Sequence, residues 1–272
     1  MSTPPFDRLL LTGAAGGLGR VLRPFLRSLG RNLRVTDLRM PEEDAPADER
    51  VACDLGDHAS VLAMCRDVDA IVHFGGVSVE DTFDSILHAN LLGTFNVYEA
   101  ARRLGIRRIV YASSGQVTGF YPTSQVVDPA MPVRPSSLYG VSKCFGENLS
   151  RLFFDRYGIE TVCLRIAMCF PEPTTHRMLR SYLSYDDLKS LVKRALLARQ
   201  VGHAIVYGVS DNRDLLWRNP DAGKIGWTPK DSSEPFRAAV EARTRHPDPE
   251  DVQNRFHGGR FTQDGPFEDR LQ

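Results

Sequence analysis

The chain has 272 residues, enough for a sizeable core, and its 34 basic and 34 acidic residues cancel. That balance excludes the basic footprint of a nucleic-acid binder and gives no pull toward an anionic membrane. Five cysteines, an odd number with no Cys-x-x-Cys pair, exclude a disulfide framework and a cysteine zinc site, so buried free thiols are expected.

The first residues lack the basic start and apolar run of a signal peptide, and no apolar stretch reaches the roughly 20 residues that span a bilayer. A cytoplasmic protein is therefore expected. Residues 8–12 (RLLLT) read as a short buried strand, 13–19 as a glycine-rich turn and 20–29 as a helix. A strand over 33–36 ends at Asp37, and the acidic, proline-rich 40–50 stretch reads as an exposed loop. Strand-like 51–54, a helix over 60–65, a strand over 70–73 and a long helix over 83–104 continue the alternation. A strand over 109–113, a helix over 138–157 and a strand over 161–166 complete it. Short strands alternating with helices predict an α/β, Rossmann-type doubly wound parallel sheet.

Beyond residue 166 the pattern loosens at Pro171-Glu172-Pro173. A helix over 186–197 and a late strand over 204–207 are expected, followed by a polar tail, 247–272, that is docked or disordered. The expectation is one domain. Its Rossmann-type core covers about 8–166, and a small C-terminal substrate-binding region covers about 167–272.

Gly13, Gly16 and Gly19 follow a strand and open a helix, with Leu18 in the same turn. Such glycines permit a tight turn and let a pyrophosphate approach the backbone, while the helix N-terminus supplies free N–H groups. Asp37, about 20 residues further on, is placed to hold the adenosine ribose and to repel a 2′-phosphate, favouring NAD over NADP. Asp54-Leu55 and Gly75-Gly76 end the third and fourth strands, where such sheets bind ligands.

Tyr139 and Lys143 stand at i and i+4 on a helix, so both can face one cleft. A tyrosine titrates near 10, and a neighbouring cation favours the phenolate. Ser114, at the end of the preceding strand, can hold a substrate oxygen while Tyr139 removes its proton. The histidines show no metal-ligand spacing, and hydride transfer needs no metal.

These motifs are similar to those of the extended short-chain dehydrogenase/reductase superfamily over roughly residues 8–225. Within it, the chain resembles the uronate dehydrogenases over nearly its whole length. The segments that carry this are 73–80 (HFGGVSVE), 138–149 (LYGVSKCFGENL), Pro171-Glu172-Pro173 with Arg177-Met178-Leu179, and 255–261 (RFHGGRF). The resemblance implies NAD-dependent oxidation of the anomeric carbon of a hexuronate to an aldonolactone. It implies Tyr139 as base, Ser114 as hydroxyl positioner and Lys143 as modulator, with Asn90 and Cys169 on the cofactor side. It also implies a sugar site at Ser78, Gly115, Gln116, Met168, Arg177 and Phe261, with Arg177 on a carboxylate.

Two departures stand out. The family commonly has Asn-His where this chain has Gly115-Gln116, and a serine where it has Met168. An edited sugar pocket allows another C6-anionic aldose, such as the sulfonated hexose sulfoquinovose. The alternatives are a nucleotide-sugar epimerase, dehydratase or reductase, and a neutral-sugar dehydrogenase. The helix over 83–104 resembles those that pair across subunits, so a homo-oligomer is expected, with no nucleic-acid or membrane partner.

Overall fold

The computed structural model describes residues 4–40, 48–265 and 267–268. The first three residues, most of the acidic 40–50 stretch and the end of the tail lie outside the described residues. Strand β1 (Phe6–Thr12) leads to α1 (Gly17–Leu26), β2 (Gly30–Asp37), β3 (Asp48–Ala52), α2 (His58–Met64) and β4 (Ala70–His73). Next come α3 (Phe83–Ile86), a π-helical turn (Leu87–Leu92) and α4 (Gly93–Leu104) without a break. β5 (Arg108–Ser114) ends in a 3-10 turn (Gly115–Thr118), and α5 (Leu138–Tyr157) precedes β6 (Glu160–Ile166). The remainder holds β7 (Met168–Cys169), α6 (His176–Ser181), β8 (Tyr182–Leu183), α7 (Tyr185–Leu197), β9 (His203–Gly208), α8 (Arg237–Arg243) and α9 (Val252–Arg255).

Seven strands pair in the order β3-β2-β1-β4-β5-β6-β9, and every pairing is parallel. A parallel sheet must be covered on both faces, and β1 shows how the sequence does this. Successive strand residues point to opposite faces. Leu9 and Leu11 therefore pack with Leu22, Leu26, Leu188 and Leu191 on one side, and Leu10 packs with Val97, Ile109 and Phe153 on the other. This is the expected Rossmann-type doubly wound fold. The strand order reverses between β1 and β4, so the loops after Thr12 and His73 part and leave a crevice between them.

Three elements differ from the sequence reading. β3 begins at Asp48, inside the stretch read as exposed loop, and Asp48 is buried. Its carboxylate is held by Arg23 at 2.9 Å and Arg27 at 2.7 Å, so an arginine of α1 and the one that follows it compensate a charge that looked like a loop signal. Helix α1 begins at Gly17, so the last glycines form its first turn. The helix over 83–104 is interrupted by the π-helical turn. The expected late strand over 204–207 is β9, which adds the seventh strand beside β6. No helix among the described residues is long and apolar enough to cross a membrane. All five cysteines are buried free thiols.

Arg165 is the largest fully buried side chain, and it meets Glu147 at 2.8 Å and 2.9 Å. Removing one partner of such a pair strands the other charge in the core. Arg165→Met should cost about 3–5 kcal/mol, measured by urea unfolding. Arg151→Ala, which breaks the exposed pair with Asp155, should leave the midpoint almost unchanged.

Candidate active site

The loops at the carboxyl edge of the sheet enclose a cleft of about 1150 Å³. Leu38, Cys53, Asp54 and Leu55 line it beside β2 and β3, the glycine turn lies near its middle, and Ser114, Tyr139, Lys143, Arg177 and Phe261 line the far end. Gly13 has φ +72°, and a Cβ there would lie 2.5 Å from the Phe74 carbonyl oxygen. Only glycine lets β1 turn this close to the β4 loop. A Cβ on Gly17 would meet nothing within 4 Å, and α1 has no side-chain cap. Its first N–H groups are thus left for an anion.

Asp37 accepts the N–H of Ala15 at 3.0 Å and of Leu38 at 2.8 Å, which ties the glycine turn to the end of β2. Each oxygen keeps a lone pair for a ribose hydroxyl. Asp54 accepts from His88 and from the Gly56 N–H, and the His88 bond is the main cause of its lowered pKa. The Gly75-Gly76 loop is anchored from below. Thr12 Oγ1 accepts the N–H groups of Gly75 at 2.9 Å and Phe74 at 3.2 Å, so its proton goes to His73 Nδ1 at 2.8 Å. Burial pushes His73 down to about 3, which keeps the ring neutral and able to accept. Sequence reading passed over His73 because its partners are distant in the chain.

Asn90 does not line the cleft. It sits in the π-helical turn and clasps Val77 through the N–H at 2.8 Å and the carbonyl at 3.0 Å, while donating to Ser142 at 2.9 Å. These bonds brace the Gly76-Val77 loop against α5. The other residues expected at the cofactor, Gly13, Gly16, Leu18, Gly19, Asp37, Asp54, Leu55, Gly75, Gly76, Tyr139, Lys143 and Cys169, all line the cleft. The uncapped helix end and the Asp37 lone pairs fit a dinucleotide's pyrophosphate and ribose.

The start of α5 is held twice. Ser137 caps the N–H of Gly140 at 3.0 Å, and the Glu80 carboxylate takes the N–H groups of Leu138 at 2.9 Å and Tyr139 at 2.8 Å. Tyr139 and Lys143 then face the cleft one helical turn apart. Ser114 Oγ accepts the Gln116 N–H at 3.2 Å, which leaves its own proton free to donate. Burial raises the Tyr139 phenol above its usual range, and the Ser114 hydroxyl offsets part of this. Burial also pushes Lys143 down to about 8. The Lys143 ammonium lies 5.5 Å from the Tyr139 ring centre.

Ser78, Gly115, Gln116, Met168, Arg177 and Phe261 all reach the same cleft. Phe261 packs on Tyr139 with ring centres 5.8 Å apart. The Gln116 amide is engaged at both ends, accepting from Ser136 at 2.6 Å and donating to the Gly258 carbonyl at 3.3 Å. Arg177 donates to the carbonyls of Phe256 (3.1 Å) and His257. Three of its five N–H groups remain. Burial pushes it down to about 10, with nearby Arg180 adding to the effect.

The sequence profile of the NAD dependent epimerase/dehydratase family matches residues 9–198. The chain belongs to this family. NAD is accordingly the cofactor of the cleft. Within the family the chain is uronate dehydrogenase-like. It is 52% identical over 268 residues to the uronate dehydrogenase of Pseudomonas putida, covering 98% of this chain and 100% of that one. The crystal structure of uronate dehydrogenase from Agrobacterium tumefaciens superposes with a TM-score of 0.95 at 46% identity, covering 97% of this chain and 100% of that chain. A mutant of that enzyme complexed with NAD gives 0.94 at 46% identity and the same coverage.

In this family member, Asp37 should set the cofactor preference. The unmodified protein should show a higher kcat/KM with NAD than with NADP, and Asp37→Ala should narrow the gap by removing repulsion of the 2′-phosphate. Equal use of both cofactors by the unmodified protein would contradict this role.

Proposed function

We propose that this protein is an NAD-dependent sugar 1-dehydrogenase that oxidises the anomeric carbon of a hexuronate to the aldonolactone. The observation that carries the reading is Arg177. It is a desolvated guanidinium with no acidic partner among the described residues, in the same cleft as Tyr139 and the dinucleotide cradle. A carboxylate on the sugar would supply the missing charge. The full-length similarity to uronate dehydrogenases supports the same substrate class.

In this mechanism the C1 hydroxyl lies between Ser114 and Tyr139. Bound NAD supplies the acceptor for the hydride that leaves C1. Ser114 donates to the C1 oxygen and fixes its position, while Tyr139 takes the hydroxyl proton. Lys143, charged below about pH 8, stabilises the phenolate. The C1–H and O–H bonds break and a C1=O bond forms. The ring oxygen stays on C1, so the product is a lactone. Arg177 holds the carboxylate at the far end and fixes which way the ring lies.

The same family member also exposes Phe83, Leu87 and Phe95 on α3, the π-helical turn and α4, and Val141 and Leu152 on the neighbouring α5. We propose a second copy of the chain as the cover for these apolar side chains.

Two measurements test the reading. Tyr139→Phe should lower kcat about 100-fold or more while NAD still binds; a variant that retains most of its turnover would remove Tyr139 as the base. NADH formation should be compared on glucuronate, galacturonate, sulfoquinovose and glucose. Arg177→Ala should reduce kcat/KM on the anionic sugars by about one to two orders of magnitude and change glucose little. The hexuronate assignment falls if sulfoquinovose exceeds both uronates, and anion recognition falls if glucose exceeds all three.

A further inference from the structure

Trp217 and His257 both line the sugar end of the cleft, and both are almost fully buried, 3% and 2% exposed. Their rings meet edge to face, with centres 5.5 Å apart and planes at 83°. Each carries a buried polar atom with no hydrogen-bond partner: Trp217 Nε1 and His257 Nδ1. Orphaned polar atoms are costly, and two on touching rings in a ligand cleft call for an explanation.

The chemistry of the two atoms is complementary. An indole N–H can only donate. His257 Nε2 lies 3.0 Å from the Gln125 carbonyl, an acceptor, so Nε2 carries the ring proton. Burial lowers His257 to about 4, which keeps the ring neutral, so Nδ1 presents a lone pair. Gly115 faces the indole edge: a Cβ there would lie 3.4 Å from Trp217 Cζ2, on the side of the ring that bears the N–H. Stacking on Tyr207, at 5.3 Å between centres, holds the indole from its other side.

We propose that Trp217 and His257 form a hydroxyl-binding corner of the sugar site, in which Trp217 Nε1–H donates to one sugar hydroxyl and His257 Nδ1 accepts from that same hydroxyl. The assignment rests on the sugar-dehydrogenase reading and adds a recognition element to it. A hydroxyl is the group that satisfies one donor and one acceptor together. A carboxylate is disfavoured, because it would face the Nδ1 lone pair. The corner therefore divides the labour with Arg177: the guanidinium, a donor only, takes the anionic group, and the corner reads the configuration of one hydroxyl. Both atoms are shielded from bulk water. In such a setting a hydrogen bond discriminates strongly between a sugar and its deoxy analogue.

The test combines Trp217→Phe with glucuronate, galacturonate and their 2-, 3- and 4-deoxy derivatives. Phenylalanine keeps an aromatic ring on Tyr207 and deletes the five-membered ring with its N–H, so a loss common to every sugar reports packing and a loss confined to one hydroxyl reports the hydrogen bond. In the unmodified protein, one deoxy derivative should lose about 10- to 100-fold in kcat/KM, mainly through KM. Trp217→Phe should lose a similar factor on the parent sugar, lose nothing further on that one derivative, and keep its KM for NAD. His257→Phe should single out the same hydroxyl. The chain has two tryptophans, and Trp227 is buried with its N–H on Ser190 at 2.9 Å. Titrating the NADH complex with each sugar should therefore change the Trp217 emission, and the derivative lacking the key hydroxyl should bind weakest. If Trp217→Phe loses the same factor on every sugar, or shifts only the melting temperature because a trapped water serves the pair, the corner is wrong. If no uronate yields NADH, the sugar-oxidation reading fails by itself, and the fluorescence titration still decides whether the corner selects a hydroxyl.

Discussion

Glu147 lies one helical turn beyond Lys143 on α5, and its two carboxylate oxygens gather three donors. Ser113 donates at 2.6 Å, and Arg165 donates through Nε at 2.9 Å and Nη2 at 2.8 Å. Arg165 also reaches the Tyr207 hydroxyl at 2.9 Å, which lies 3.1 Å from Thr118 Oγ1. One buried network therefore joins β5, α5, β6, β9 and the 3-10 turn, the elements that carry Ser114, Tyr139, Lys143 and Gly115. A buried ion pair contributes little net stability compared with apolar packing. Its value is geometric, because all these polar groups are satisfied together in one register of helix on sheet. A half-turn slip of α5 would leave Glu147 and Arg165 unpaired in the core and turn Tyr139 away from Ser114.

Charge along the cleft follows from the same economy of burial. The uncapped end of α1 offers a positive dipole where a pyrophosphate fits, and Asp37 stands beyond it for the ribose. At the opposite end Lys143 and Arg177 are desolvated cations, while His73 and His257 are kept neutral by desolvation. Neutral imidazoles can accept hydrogen bonds, and His73 uses that capacity near the site. His73 orders Thr12 and the Gly75 loop, and His257 leaves a lone pair at the sugar end.

The tail completes the site. Gly258 N–H bonds to the Gly119 carbonyl at 2.7 Å, Gln116 holds the Gly258 carbonyl, and Arg177 holds those of Phe256 and His257. The residues that shape the sugar end are thus the same ones that fasten the tail over it. A substitution at Gln116 or Arg177 acts on the wall as well as on the ligand. For that reason the tests rest on differences between sugars and not on a single loss of activity.

The layout of β1 to β6, the glycine turn and the Tyr139–Lys143 pair were legible in the sequence, because each depends on local spacing. Periodicity of two or of 3.6 marks strands and helices, and i, i+4 spacing alone puts Tyr139 and Lys143 on one helix face. Cleft-lining residues from Gly13 to Phe261 could likewise be named from motifs and resemblance. Other features depend on partners far apart in the chain and left no local signal. Asp48 looked like loop until Arg23 and Arg27 met it, and Asn90 proved to brace Val77 against Ser142. Burial raises the Tyr139 phenol, and only packing reveals burial. Glu80, Trp217 and His257 became visible as parts of the site when the tertiary fold brought a loop, a late segment and the tail to the end of β5. Spacing along the chain determines which faces its residues share, and three-dimensional packing determines which polar groups are left without partners.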